Sequence, residues 1–357
     1  MPRKFLQNRS CPNGNCILHD QFGKQNIVRY GFFQLKNGAR RRRYRCTVCG
    51  KTFTSTHGTP YYRLKRSRRM FDMAATMSVE GVSKSSIARI MGIAWNTAAR
   101  WIERAAGHAK KFNDRRTQGY EITELQADEI RAFVQGKAHP LWIMATLEVS
   151  SRLWPTCVVG RRSYSNTRQL IRETARRGWY ECAPLITTDG FPYYTPVIRR
   201  AFGVTCVYGQ VIKQWRNNRV TRVDKRLTIG SQSDLDEALS RSEDSSDLNT
   251  SFIERMNLTI RQGSSSLRRR SPGHARRSEC LENHLEPLRC YYNFIRPHRG
   301  LKFGKEIRTP AMQAGLAPRL MTFRQIFTWP NRGILFVLLI LDFNASQYRI
   351  RHENLAA

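Results

Sequence analysis

The stretch APLITTDG, residues 183 to 190, decides how most of this chain is interpreted. Its apolar and β-branched residues predict a short buried strand, and that strand ends on an acid, Asp189, followed by Gly190. Ligands of α/β proteins usually bind at the ends of sheet strands, so Asp189 is a candidate site residue.

Strands and helices alternate on both sides of this stretch. The chain before it predicts three strands and then a helix, over residues 120–134, 140–154, 155–163 and 166–178. The chain after it predicts a helix and a strand, over residues 194–203 and 204–212. This order is typical of a mixed sheet with helices on its faces. We therefore predict an α/β domain over residues 113–317, preceded by a polar and basic boundary segment.

Three acids of this domain are candidates for a metal site. Asp128 lies in the first strand, Asp189 ends the buried strand, and Glu254 falls on a predicted helix with an apolar face. Arg261 follows Glu254 by nearly two helical turns, so both side chains can project from one face. Three carboxylates at a sheet end can bind two Mg²⁺, or Mn²⁺, which activate the attacking oxygen and stabilise the departing one in phosphoryl transfer.

The N-terminal region, residues 1–62, carries two close cysteine pairs: Cys11 with Cys16, and Cys46 with Cys49. Each pair can sit on a tight turn, and two such turns offer four thiolates to one tetrahedral Zn²⁺. So short a region buries little apolar surface, so a structural zinc would supply much of its folding free energy. The pattern predicts a zinc ribbon, and the alternative is four buried or free thiols.

Residues 63–112 predict three short helices separated by Gly81 and Gly92, with Ser83 able to cap the second. This is the pattern of a helix-turn-helix unit, in which the third helix reads DNA. The residues that would lie near base edges are Trp95, Asn96, Thr97 and Arg100. Any small helical bundle has the same pattern, but 25 Lys and Arg against five Asp and Glu between Arg3 and Arg116 favour DNA binding.

The charge of the whole chain points to a polyanionic partner. Its 357 residues hold 61 Lys and Arg against 27 Asp and Glu, a net charge of +34. Such a field is most naturally relieved by nucleic acid, so we expect double-stranded DNA as the partner and no membrane. The N-terminus has no apolar signal segment, and the nine cysteines include single ones among apolar residues. Both features favour a reducing cytoplasm, with the protein associated with the nucleoid.

Further basic segments are candidates for DNA backbone contacts. They are Arg41, Arg42 and Arg43 near the ribbon, and Arg268 and Arg269 after the Glu254 helix. Residues 210–248 predict a basic hairpin insertion, which either contacts DNA or only extends the sheet. Residues 318–357 form a C-terminal tail with an apolar run too short to span a bilayer.

Four blocks, in this order behind the paired cysteines and the helix-turn-helix pattern, resemble bacterial insertion-sequence transposases of the IS1 type. The blocks are TTDG, NTSFIERMNLTIR, YYNFIRPHRGL and RTPAMQAGL, and the resemblance runs from about Cys11 to Ile326. It implies an RNase H-like core with an Asp-Asp-Glu triad, here Asp128, Asp189 and Glu254, that cuts and joins transposon ends with Mg²⁺. Arg261 matches the basic residue that these enzymes often carry seven places after the Glu.

The first acid departs from the family pattern. The family commonly has Asp-Glu-x-Trp, and this chain has Arg131 where the Trp would stand. Asp128 and Glu129 therefore both remain candidates. Adjacent strand residues face opposite sides of a sheet, so we expect only one of them to reach the metals.

The resulting hypothesis is a DNA transposase that binds terminal inverted repeats and catalyses Mg²⁺-dependent strand cleavage and strand transfer. Joining two transposon ends requires a homodimer or a higher oligomer in the synaptic complex. The alternative is a non-catalytic DNA-binding regulator, built from the zinc ribbon and helix-turn-helix, with a degenerate nuclease-like domain. A third interpretation is a nuclease with the same core that cuts but does not join strands.

Overall fold

The structure is a computed structural model that describes residues 5–7, 9–35, 38, 40–217, 219–268 and 273–329. Arg269 and the apolar run of the C-terminal tail lie outside the described residues. The chain forms two compact units, one up to Arg68 together with the residues from Phe327, and one from Arg69 to Ile326.

The first unit is a three-stranded antiparallel sheet in the order β1-β2-β3. Its strands are β1 (Ile27–Gln34), β2 (Arg40–Cys46) and β3 (Thr52–Thr54). Its small core combines Ile27 and Tyr44 with the buried cysteines. A core of this size buries little apolar surface.

The second unit begins with three helices: α1 (Arg68–Val79), α2 (Lys84–Met91) and α3 (Trp95–Arg116). The strands that follow are β4 (Tyr120–Glu121), β5 (Glu124–Val134), β6 (Gly136–Glu148), β7 (Cys157–Gly160), β8 (Gly178–Trp179), β9 (Leu185–Thr188), β10 (Val207–Arg216), β11 (Arg219–Ile229), β12 (Lys302–Phe303) and β13 (Glu306–Ile307). The later helices are α4 (Tyr164–Arg177), α5 (Tyr194–Phe202), α6 (Gln232–Ser240), α7 (Ser251–Gln262), α8 (Ser278–Cys290), α9 (Pro310–Gln313) and α10 (Phe323–Thr328).

Six strands of this unit form a mixed sheet in the order β11-β10-β9-β5-β6-β7. β5, β6 and β7 are antiparallel neighbours, whereas β9 lies parallel to both β5 and β10. Side chains of β5 meet α7 on one face of the sheet and α5 on the other. The predicted α/β class, a mixed sheet with flanking helices, is confirmed.

The three-helix segment has the expected boundaries. Gly81 and Gly92 adopt φ values of 78° and 60°, which a residue with a side chain rarely adopts. The Ser83 hydroxyl accepts a hydrogen bond from the backbone N–H of Ser86 at 3.1 Å and so caps α2. The sequence pattern thus located both turns correctly.

The predicted boundary between residues 112 and 113 is wrong in position, because it falls inside α3, which continues to Arg116. Phe112 packs edge-to-face on Phe294 with ring centroids 5.0 Å apart. Asn113 donates to Glu286 at 2.7 Å. The second half of α3 is therefore part of the core of the larger unit, and the three helices are not a separate domain.

The expected hairpin is present as β10 and β11, which form the edge of the six-stranded sheet. Its outer part is exposed, and it carries Trp215 at 65% exposure together with Arg216, Arg219 and Arg222. Among the described residues, no helix is both long and apolar enough to cross a membrane.

Candidate functional site

The candidate site lies where β5, β9 and α7 meet, in an open cleft of about 1210 Å³. Asp128 is near the middle of β5, and its carboxylate accepts a hydrogen bond from the Asn257 amide of α7 at 2.7 Å. Asp189 directly follows β9 and accepts the backbone N–H of Phe191 at 3.0 Å. Because β5 and β9 are parallel neighbours, they bring these two acids to the same place.

Glu129 belongs to this cluster as well. One carboxylate oxygen from each of Asp128, Glu129 and Asp189 lies within 4.8 Å of the others. The two acids of β5 do face opposite sides of the sheet, as expected, because Asp128 meets α7 and Glu129 faces α5. The expectation that only one could reach a shared metal does not hold, since Asp189 at the strand end lies close to both.

Glu254 lines the same cleft from α7 but is not a member of this close cluster. Its carboxylate pairs with the ammonium group of Lys213 on β10 and accepts the Thr250 hydroxyl at 2.8 Å. Arg261 also lines the cleft, two turns further along α7. The helix therefore presents the acid and the arginine on one side, as their spacing predicts.

Arg162, just before α4, was not among the residues predicted from sequence. Its guanidinium lies 2.9 Å from Glu129 and 3.0 Å from Asp189, and it stacks on the Phe191 ring at 3.8 Å. The sequence pair Arg161-Arg162 contains no signal that separates the inward-facing residue from its neighbour. Lys213 and Asn257 were missed for a related reason, since their roles depend on which strand and helix lie beside the acids.

The surroundings of Asp128 and Glu129 disfavour the charged forms of both carboxylates. Burial, together with the negative charges of Asp189 and Glu254, raises the pKa of Asp128 to about 6. Burial and the charge of Asp189 raise the pKa of Glu129 to about 7. The Arg162 guanidinium works in the opposite direction on Glu129. Buried acids with competing like charges are typical of sites that bind cations or catalyse reactions.

Two buried polar atoms at this cleft have no hydrogen-bond partner among the described residues, Glu129 Oε1 and Asn257 Oδ1. Mg²⁺ prefers hard oxygen ligands, and the clustered carboxylates are such ligands. The donor set of Asp128, Glu129 and Asp189 therefore fits a divalent cation. Glu254, as it is placed here, would contribute only after leaving Lys213.

The four N-terminal cysteines form a second candidate metal centre. The Cys11 and Cys49 sulfurs lie 3.5 Å apart, those of Cys16 and Cys46 lie 3.9 Å apart, and all four lie within 4.8 Å of one another. Tetrahedral Zn–S bonds of about 2.3 Å require sulfurs about 3.8 Å apart. The cluster is compatible with a zinc ribbon and could hold a structural zinc ion.

The surroundings of the cysteines act on their thiols in opposite directions. The Asn26 amide donates to the Cys46 sulfur at 3.3 Å. Burial raises the pKa of the Cys11 thiol. Burial acts in the same direction on Cys49, but hydrogen bonds from the Lys51 backbone and from Asn13 outweigh it and lower the pKa of that thiol to about 6.

Most of the predicted DNA-contacting residues lie at the surface. Trp95, Asn96 and Arg100 are exposed on the first turns of α3, and Thr97 is half-buried. Three of the arginines of β2 were predicted to contact DNA, Arg41, Arg42 and Arg43, and all three are half-buried. Arg42 stacks on Phe32 and Arg43 on Tyr30, both aromatic rings of β1. Arg268 is exposed after α7. These positions are accessible, and DNA contact at each of them stays a prediction.

Compared with known proteins, the chain matches no family model, and no curated protein is significantly similar to it. Its function therefore has to be argued from the chemistry of the site.

Proposed function

We propose that this protein is a DNA transposase of the Asp-Asp-Glu type. The observation that carries the proposal is the cleft in which Asp128 and Asp189 converge and to which α7 presents Glu254 and Arg261. Carboxylates and a cation on opposite walls of one cleft suit a metal-dependent reaction of a phosphodiester. The order of the sheet, an antiparallel three-strand edge followed by parallel β9 and β10, is compatible with an RNase H-like core.

In this proposal, the residues that line the cleft have different roles. Asp128 and Asp189 would hold Mg²⁺ or Mn²⁺, with Glu254 as the third acid. A divalent cation bound here supplies positive charge that stabilises the attacking and leaving oxygens of phosphoryl transfer. Arg261 would hold a DNA phosphate against the acids. The Asn257 amide fixes the orientation of the Asp128 carboxylate through their 2.7 Å hydrogen bond.

Asp128 is favoured over Glu129 as the first acid. Asp128 faces α7, the helix that carries Glu254 and Arg261, whereas Glu129 faces the opposite layer and is paired with Arg162. The negative charge of Glu254 acts on Asp128, where it contributes to the raised pKa. Glu129 would then be a member of the acid cluster on the α5 side of the sheet and not one of the three catalytic acids.

The basic residues of the N-terminal modules support a DNA-binding role for them. The zinc ribbon and the helix-turn-helix unit would bind the terminal inverted repeats, and the core would free a 3′ hydroxyl that attacks target DNA. Two ends must be brought together before they can be joined, so the active form would be a homodimer or a higher oligomer.

The test is Mg²⁺-dependent cleavage of a labelled duplex that carries the inverted repeats flanking the coding region. We expect Asp128→Asn and Glu254→Gln each to lower the cleavage rate roughly 10³-fold or more, because each removes a group acting together with the others. Glu237→Gln is the matched control, because Glu237 is an exposed acid of α6 outside the cleft. Equal cleavage by wild type and Glu254→Gln would end the proposal.

One observation favours the alternative of a non-catalytic regulator. Glu254 is paired with Lys213 and stands apart from the close acid cluster, as a degenerate site would have it. Sequence-specific binding of the terminal repeats without any cutting in Mg²⁺ or Mn²⁺ would establish the regulator. Cutting without joining would establish a nuclease.

A further inference from the structure

A second cleft, of about 890 Å³, lies beside the helix-turn-helix segment in the larger unit. One wall is formed by residues 83–86, at the start of α2, and by Trp95 of α3. The other wall comes from the chain after α7 and includes Arg268 and Arg276. Two features that the sequence suggested separately, the first residue of the recognition helix and the basic segment after Glu254, thus face one cavity.

The charge of this cleft has a single sign. Lys84, Arg268 and Arg276 line it, and among the described residues no Asp or Glu does so. Hydroxyl groups add neutral donors, from Ser83, Ser85, Ser86, Ser265 and Ser266. Cations with hydroxyls, and no acids, are the groups that contact phosphate oxygens of a DNA backbone. The start of α2 adds the partial positive charge of a helix N-terminus.

The two clefts share one lining side chain. Arg268 lines both cavities, and its guanidinium donates to the backbone carbonyl of Gly81 at 3.0 Å. This bond ties Arg268 to the turn between α1 and α2. A DNA backbone held in the second cleft would therefore meet a cation that also borders the acid cleft.

We propose that the second cleft holds the sugar-phosphate backbone of duplex DNA next to the segment that enters the acid cleft. This rests on the proposed function and extends it. It gives a DNA contact to Lys84 and Arg276, which belong neither to the acid site nor to α3. The partner is a polyanionic DNA backbone and not a free phosphate ion.

The test measures the affinity of the full-length protein for a labelled duplex of arbitrary sequence across a range of salt concentrations. Each lost phosphate contact lowers the slope of log affinity against log salt by about 1. We expect Lys84→Ala and Arg276→Ala each to have this effect, and the double variant to lower the slope by about 2. Lys84→Arg should keep the wild-type slope, because the charge is retained.

Arg172→Ala is the matched control, since Arg172 is an exposed arginine of α4 that lines neither cleft. Thermal unfolding of each variant establishes that the fold is kept. A double variant with the wild-type slope would overturn the inference while the transposase proposal stands. A wild type without salt-dependent DNA binding would overturn both. The measurement is repeated with inorganic phosphate in place of chloride at equal ionic strength. If the wild type and the double variant then have the same slope, the cleft is a site for free phosphate, and the inference is overturned.

Discussion

Arg162 pairs with a buried carboxylate of the acid cluster. The Glu129 side chain is 2% exposed, and Arg162 lies 2.9 Å from it. Removing one partner of a buried ion pair leaves an uncompensated charge, which costs far more than the pair contributes. The position of Arg162 is thus a stability requirement of the site before any reaction is considered.

We expect Arg162→Gln to lower the free energy of unfolding by about 3 kcal/mol at pH 8. The pKa of Glu129 is raised to about 7, so most of this carboxyl is protonated and uncharged at pH 5.5. The loss of stability should therefore be smaller at pH 5.5 than at pH 8. Urea denaturation at both pH values measures it. Adding Glu129→Gln should restore most of the stability. Arg172→Gln, on an exposed pair with Glu173, should cost less than about 1 kcal/mol.

Asp128 should reduce stability in the absence of divalent cations. Its pKa is raised from 3.8 to about 6, because burial and the nearby acids disfavour the charged form. The folded protein therefore binds this proton more tightly than the unfolded chain. The stabilisation by the proton is complete below the unfolded pKa and is lost as pH rises towards 6.

Asp128→Asn removes that titration, so it should raise the free energy of unfolding by on the order of 2–3 kcal/mol at pH 8 in magnesium-free buffer. The gain should fall to a small fraction near pH 4. Denaturant unfolding at the two pH values checks this expectation. An equal gain at both would show that it does not arise from this carboxyl.

Close backbone packing joins the first turn of the helical segment to the end of α7. A Cβ at Gly81 would lie 2.4 Å from the Gln262 carbonyl oxygen, and Gly81 also has a φ of 78°. A Cβ at Gly263 would lie 2.9 Å from the Val79 carbonyl oxygen. Glycine at both positions therefore allows the helical segment to approach α7 closely.

Gly81→Ala should cost more than about 2 kcal/mol, because backbone strain adds to a clash with a carbonyl that cannot move freely. Gly92→Ala is its control. Gly92 has a φ of 60° with nothing within 4 Å of its Cβ position, so only the strain of about 1 kcal/mol applies. Chemical denaturation of the two variants gives the difference, and equal losses would contradict the close approach.

The four-cysteine cluster gives a prediction for the three strands of the first unit. If it holds a structural zinc ion, chelation of zinc, or Cys11→Ser, should release the metal and expose the arginines of β2 to trypsin, because a structural metal supplies much of the folding free energy of so small a unit. Cys206→Ser is the matched control, since Cys206 is buried but lies outside the cluster. A zinc-free protein whose ribbon resists trypsin as well as the wild type does would exclude a structural metal.

Much of this architecture could be predicted from the sequence, because apolar periodicity and glycine turns depend only on residues that are close together in the chain. The buried strand ending at Asp189 and the three helices lie where they were expected. The faces of α1 and α2 were less predictable: Met73 and Ile90 are apolar residues of these helices, yet they are 43% and 63% exposed. Which face is covered depends on distant partners such as α8.

The acid site shows the same limit. Asp128 and Asp189 lie together because β9 runs parallel to β5 and ends beside Ala127, in the middle of that strand. The membership of Glu129 depends on the same register, and the pairing of Glu254 with Lys213 depends on a hairpin strand 41 positions away. No local pattern contains the register of that hairpin.

At the scale of the whole molecule, the helical segment and the six-stranded sheet belong to one compact unit, Arg69–Ile326. α3 extends to Arg116, and its last turns bury Phe112 and Asn113 against residues that follow α7 in sequence. His284 of α8 is hydrogen-bonded to both Ser78 of α1 and the Gly263 carbonyl, at 3.4 Å and 3.0 Å. A regulator whose DNA-binding part works independently would not need these contacts.

We therefore expect a fragment of residues 1–116 to fail to form its three helices, although it contains every residue of the helix-turn-helix segment. In this fragment the apolar side of α3 would be exposed to water. Helices that lack the packing of a larger core are marginally stable in water. Circular dichroism of the zinc-loaded fragment, compared with the full chain, measures the loss of helix. A fragment with full helical content and cooperative unfolding would separate DNA binding from the core, and so would favour the regulator over the transposase.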